Sequence, residues 1–302
     1  MVDRASTFAD KKIVALLSRS YIPVAVDAWY YSRRQDAAGD FYRKVVLQRE
    51  GAHLGRTTQG FYIFEVSGEL FQGWNNRNPG RVRRHLKNGL KAISTQKTRA
   101  PKGPSQSKSD PRYQRDIPAG ATVVDVHSRI LKGSWPKNKN TWSEMIRAAR
   151  GKDRLWILES ERKLLRKGKL AESLKRRIVR FHFVDNTRGE PPMWRVEEVK
   201  ELKLKVLKQP KGWKIVGQVK LESKNGDRGY EGQVLGFYRM KKGQLTQFDL
   251  VSKGDFFGCG SYTPNPPEGK FSIGFATKLS DKNSAAYFVP PQAARDLRAY
   301  LK

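Results

Sequence analysis

The chain has 302 residues, 38% hydrophobic and 11% aromatic, enough to bury sizeable cores and to divide into about two domains. Lys and Arg number 60 against 29 Asp and Glu, and the net charge of +31 leads us to expect an acidic partner, an acidic protein or a polyanion such as nucleic acid. One Cys and four His exclude a disulfide framework, an all-cysteine zinc site and a CxxC redox pair, and neither a metal nor a cofactor is expected.

The opening residues MVDRASTFADKK carry charge where a secretory signal has an apolar core, and no later segment reaches 18 uninterrupted apolar residues. A cytoplasmic chain with no membrane partner is expected, although a mature form left after signal removal would read the same. Residues 7–20 open with Thr7 and Asp10 three apart and continue with Ile13, Leu16 and Leu17 at helical spacing. Residues 22–29 (IPVAVDAW) read as a strand, and residues 36–48 return to a helical pattern through Phe41, Val45 and Val46. GFYIFEV and ELFQGW flank Ser67-Gly68 as a hairpin. Asn78-Pro79 then supplies a cap and a first-turn proline, and Val82, Leu86 and Leu90 recur every four residues to about Ser94. These elements place a first domain in residues 1–95.

Residues 96–120 are rich in Pro, Ser, Lys and Arg and almost lack large apolar side chains, a composition that reads as a basic linker. A second, β-rich domain is expected in residues 121–302. Its strand candidates are 121–131, 177–183, 202–207, 213–221, 230–240, 245–251 and 271–278, with a basic, partly helical stretch at 147–180 and a closing helix at 292–301. Asn225-Gly226, Lys242-Gly243 and Pro266-Pro267 supply turn chemistry, and the roughly ten-residue spacing predicts a mainly antiparallel barrel or sandwich with flanking helices.

The order strand, helix, hairpin, basic helix in residues 7–94, together with VDAW at Val26 to Trp29, resembles the thioredoxin-like fold. The resemblance implies an α/β thioredoxin-like N-terminal domain over about a third of the chain. It places the family's acid and Trp on Asp27 and Trp29, its two thiols on Arg33 and Asp36, and its cis-proline on Gln59. All three redox elements are therefore replaced. Only about ten residues separate Gln48 from Gln59, too few for the strand and helix of a full thioredoxin, so the expected domain is abbreviated, cysteine-free and inactive in thiol-disulfide exchange. The C-terminal half is similar to β-rich modules fused to thioredoxin-like domains in bacterial proteins.

Several groups invite a chemical reading. Cys259 lies between glycines that would let a substrate approach, but an activated thiol needs a cation or helix N-terminus beside it. FHFVDNTRGEPPMW gathers His182, Asp185, Asn186, Arg188 and Glu190, which read either as a pocket or as loop residues bonding backbone. Asp249 and Asp255, with Asp185 and Glu190, are the catalytic candidates if the β domain is an enzyme; paired carboxylates need a separation of roughly 5 to 9 Å. The basic stretches give the stronger signal. Arg83, Lys87 and Lys91 repeat along one helix, and residues 147–180 hold 13 Lys and Arg against 4 Asp and Glu, ending in Arg176, Arg177 and Arg180, with Trp142 and Trp156 as stacking candidates. These six basic residues are the expected polyanion contacts, set against the plain reading of a solvated face. The leading expectation is a non-catalytic binding protein for acidic partners, and the alternatives are a nucleic-acid phosphate-backbone binder and a carboxylate enzyme.

Overall fold

Helix caps and apolar spacing account for most of the first part of the chain. The computed structural model describes residues 7–54, 58–93, 108–113, 115–135, 147 and 149–302. These fall into two units, one within residues 6–115 and one within 116–302.

In the first unit, α1 (Lys11–Ser20) starts where the Asp10 carboxylate accepts from the backbone N–H groups of Lys12 and Ile13. The cap is Asp10 alone, and Thr7 instead donates to Arg77 O at 2.6 Å. Next come α2 (Ala28–Arg33) and α3 (Ala37–Leu47), capped by Asp27 and Asp36 respectively. Strands β1 (Phe61–Phe64) and β2 (Leu70–Trp74) pair antiparallel, joined by a turn in which Gly68 takes φ +84°. Helix α4 (Pro79–Ile93) follows, with Asn78 Oδ1 accepting from Arg81 N at 3.1 Å. Strand alternation places Ile63 against Ile13, Val82 and Leu86 on one face, while Phe64 meets the Phe41 ring of α3, 5.8 Å between centroids, on the other.

Two expectations change here. Residues 22–26 form no strand and residues 28–33 are helical, so the central strand on which the family resemblance rests is replaced by an extended segment and a capped turn of helix. Ile22 is 83% exposed and Val24 68%, so this β-branched run buries little. Nothing in this unit identifies a thioredoxin-like fold. The described part of the expected linker is also not free: Asp110 N donates to Asp36 Oδ2 at 2.7 Å, and Asp110 Oδ2 accepts from Gln35 N at 2.8 Å. Residues 96–107 and 114 lie outside the described residues.

The second unit is built on a seven-stranded antiparallel sheet: β3 (Thr122–Ser134), β4 (Gly151–Ile157), β5 (Val199–Gln209), β6 (Gly212–Glu222), β7 (Gly229–Lys241), β8 (Gln244–Phe257) and β9 (Glu268–Leu279), in the order β4-β3-β9-β8-β7-β6-β5. It is open, not a closed barrel or a sandwich. The expected strand at 177–183 is instead the end of helix α6 (Glu172–His182), which follows α5 (Glu159–Arg166), and part of the 147–180 stretch is β4. Helix α6 packs against both β4 and β5, the two ends of the sheet. Laid flat, those ends would stand about 29 Å apart, whereas a helix is about 10–12 Å across, so the sheet curls around α6. Its inner face carries Val124, Ile215, Val219, Phe248, Leu250 and Ile273 against Leu174 and Ile178. The C-terminal residues, ending in α7 (Leu297–Leu301), pack Ala294 and Tyr300 against Val123, Trp156 and Phe181.

The first unit's carboxylate cluster makes it acid-sensitive. The Arg34 guanidinium and the Gly39 and Asp110 N–H groups hold Asp36 well below the usual carboxylate range, and Arg112 with Gln35 N holds Asp110 at about 2. Both carboxyls titrate lower folded than unfolded, so their contribution is present above about pH 4 and is lost as pH falls toward 2. Amide-exchange protection in α3 should therefore drop between pH 4 and pH 2 in the intact chain and depend less on pH in Asp36→Asn; an equal pH dependence in both proteins would contradict the assignment.

Candidate functional site

The densest polar segment, residues 181–194, turns inward. Asp185 accepts from Thr187 N (3.1 Å), Thr187 Oγ1 (2.5 Å) and Arg188 Nε (2.7 Å), and both members of the Asp185–Arg188 ion pair are buried. Arg188 spends its remaining N–H groups on the carbonyls of Thr263, Pro264 and Gly258. Asn186 bonds Ser128 of β3. His182 stands with Nε2 3.1 Å from the Tyr300 hydroxyl and Nδ1 3.3 Å from Asp153 Oδ2, again buried. These groups form an internal lock that fastens the loop after α6 to the β8–β9 loop, and none of them lines an open pocket.

The glycines beside Cys259 serve the same closure. A Cβ at Gly258 would lie 2.0 Å from Asp227 O, and one at Gly260 would lie 2.1 Å from Pro192 Cδ. The positions a Cβ would take on these glycines are filled by neighbouring loops. Cys259 itself is exposed.

The four catalytic candidates do not meet. Asp185 is inside the lock; Glu190 pairs with Arg295 at the surface. Asp249 and Asp255 share β8 but lie six residues apart, about 20 Å along the strand, well beyond the separation a carboxylate pair needs. Asp249 accepts from Gln247 at 2.5 Å, and Asp255 faces Glu231 across the strand pair. An open groove of about 550 Å³ on the outer sheet face contains Asp255, with Glu222 and Glu231 alternating with Lys220, Lys253 and Lys270. Among the described residues, no three His, Cys, Asp or Glu side chains gather as a metal would require.

Positions given by the family resemblance have local duties. Asp27 caps α2 through Trp29 N at 2.8 Å, and Arg33 lies over the Trp29 ring at 4.7 Å. Asp36 caps α3 and binds Arg34 at 2.6 Å.

The expected basic contacts divide sharply. Arg177 is 1% exposed and fully engaged: Nη1 donates to Glu161 (2.7 Å) and Trp156 O, Nε to Tyr300 O at 2.8 Å, and Nη2 to Leu301 O. It ties α6 to α5 and to the C-terminus and offers no charge to solvent, so its expected role as a polyanion contact is withdrawn. Arg180 is half-buried, donates to Trp194 O at 3.0 Å and lies 4.8 Å from the Phe181 ring; burial pushes its guanidinium below the usual range. Arg176 is exposed. On α4, Lys87 and Lys91 are exposed, whereas Arg83 is half-buried and 3.8 Å from Asp10. Trp156 is buried and cannot stack on a ligand, and Trp142 lies outside the described residues. No helix among the described residues is long and apolar enough to cross a membrane.

What sequence reading missed is a convergence of three basic segments at one end of the second sheet. Arg162 Nη1 donates to Gln244 Oε1 at 3.2 Å, and Tyr238 OH donates to Leu165 O at 3.1 Å, which sets α5 against the β7–β8 turn. Trp213, stacked on Tyr238, lies against Gly168 just after α5. The β5–β6 turn therefore sits beside the same helix end. The 147–180 basic stretch and the Lys242-Gly243 turn signal each marked one of these segments, but nothing in the sequence brought them together.

No family model, curated protein or solved structure matches this chain.

Because Arg177 neutralises a buried carboxylate, Arg177→Ala should cost the second unit about 3–5 kcal/mol, whereas Arg176→Ala, one residue away and exposed, should stay within about 0.5 kcal/mol. Urea unfolding of both variants checks this.

Proposed function

We propose that this chain is a binding protein for acidic partners, acting through exposed, unneutralised positive charge and not through a reaction centre. The supporting observation is the distribution of charge after folding. Acidic side chains are largely engaged with particular cations or backbone N–H groups, as in Asp36–Arg34, Glu161–Arg177 and Asp185–Arg188, while many lysines and arginines stay exposed with no carboxylate beside them. Counterions held around such a surface are released when a polyanion replaces them, and that release drives binding.

The dispersal of Asp185, Glu190, Asp249 and Asp255 gives the enzyme alternative no supporting geometry. The binding reading does not depend on the thioredoxin-like resemblance, because neither Arg33 nor Asp36 brings thiol chemistry.

Titration of the intact chain against heparin, a labelled duplex and a single-stranded oligonucleotide at several ionic strengths tests the proposal. Binding should be tight at low salt and fall steeply, by about one log unit of affinity per log unit of salt for each anionic group contacted. Absence of binding to all three at low salt would overturn it.

A further inference from the structure

We infer that the end of the second sheet bearing the β5–β6 and β7–β8 turns, together with the C-terminal half of α5, is a binding surface for the phosphate backbone of nucleic acid. This rests on the polyanion-binding reading and gives it a place and a ligand.

In an antiparallel sheet, alternate turns fall at the same end. Residues 209–212 and 241–244 both turn there, two strand spacings or about 10 Å apart. Three segments meet at this end, residues 162–169, 208–214 and 239–244, and together they contain 11 Lys and Arg and no Asp or Glu. Arg162 is spent on Gln244 and Lys163 on Glu159 at 3.1 Å. The remaining nine have no ion-pair partner among the described residues. From α5 and the residues after it come Arg166, Lys167 and Lys169, all exposed. From the β5–β6 turn come Lys208, Lys211 and the half-exposed Lys214; from the β7–β8 turn come Arg239, Lys241 and Lys242. The arrangement is fixed by apolar packing underneath, through the Trp213–Tyr238 stack and the Tyr238 bond to Leu165 O. A Cβ placed on Gly243 would come within 3.7 Å of Arg166 Nη1, which puts α5 and the second turn in direct proximity.

The density of charge selects the ligand. A nucleic-acid duplex presents one phosphate per about 1.7 Å of axis, so about six fall within the 10 Å between the two turns. An acidic protein surface intersperses its carboxylates with cations and neutral groups and does not reach that density. The Trp213 ring is already packed against Tyr238 and Gly168 and offers no platform on which a base could stack, and lysines, which act as point charges suited to phosphate, make up seven of the nine free cations. The opposite end of the sheet shows the contrast: its β6–β7 turn mixes Glu222, Lys224, Asp227 and Arg228.

The test compares three forms of the full chain by anisotropy titration of unrelated labelled duplexes. These are the native protein, a triple variant Arg166→Glu, Lys211→Glu, Lys242→Glu, and a control Arg81→Glu, Arg84→Glu on α4, two exposed residues outside the expected contact set. The triple variant should lose at least about 100-fold in affinity at low salt and flatten the log–log salt slope by about 3, equally on every sequence; the control should change affinity less than about threefold. A control loss as large as the triple loss would overturn this site while leaving the polyanion reading intact. No binding by the native chain to duplex, single-stranded oligonucleotide or heparin at low salt would overturn both. An acidic protein that binds while duplex DNA does not would overturn the nucleic-acid assignment alone. If the reversed triple fails to fold, judged by circular dichroism, Arg166→Gln, Lys211→Gln, Lys242→Gln replaces it, with an expected loss of at least about tenfold and unchanged affinity as the overturning result.

Discussion

A seven-stranded antiparallel sheet cannot leave its inner face open to water, and the second unit meets that constraint chiefly with one helix, joined in the core by Leu165 of α5 and by Phe183 and Trp194. Helix α6 touches β4 and β5 at the two ends of the sheet, so the sheet must curl until both reach it. Leu174, Ile178 and Val179 fill the interior, and Arg177 binds the carbonyls of Tyr300 and Leu301 and the carboxylate of Glu161. That buried pair is costly to desolvate, but its geometry joins α5, α6 and the C-terminus in one arrangement. The position of α5 follows from this, and so does the place of its basic C-terminal half beside two strand turns.

The same arrangement explains which parts of the fold were legible beforehand. The strands of the sheet other than β4, whose residues 154–157 are all buried, and the capped helices α3 and α4 were readable because half of each faces water, leaving period-two or period-four apolar spacing with turn or capping residues at the ends. Helix α6 was not. Ile178 and Val179 pack into the sheet's core while Phe181 and His182 are buried against Tyr300 of the C-terminal segment, so apolar residues point to more than one side and residues 177–183 read as a strand. Residues 22–29 failed for the opposite reason: a β-branched run has strand composition, yet these residues have no pairing partner in the two-stranded sheet, and Asp27 finds a local use as a helix cap.

Site prediction met a related difficulty. A linear cluster such as His182, Asp185, Asn186 and Arg188 has the composition of a pocket and also that of a buried polar lock, because both need donors and acceptors at close quarters. Burial separates the two readings, and composition does not report burial. Arg176 and Arg177 make the point at the scale of one residue, since a step of about 100° around α6 takes one guanidinium into water and the other into a carboxylate and three carbonyls.

Net charge was legible from the start, whereas its segregation required topology. Nine unpaired cations at one end of a sheet repel one another and lower the stability of the free chain. Solubility alone does not call for this, because a surface with both signs interspersed, like the β6–β7 turn, is soluble without that cost. A ligand that neutralises the cluster binds only the folded arrangement of three separate segments, and so returns the lost stability on association. In the binding role proposed above a dense anion relieves this charge, and the cluster that would meet it is supported from beneath by the same α5 contacts that seat the helix on the sheet.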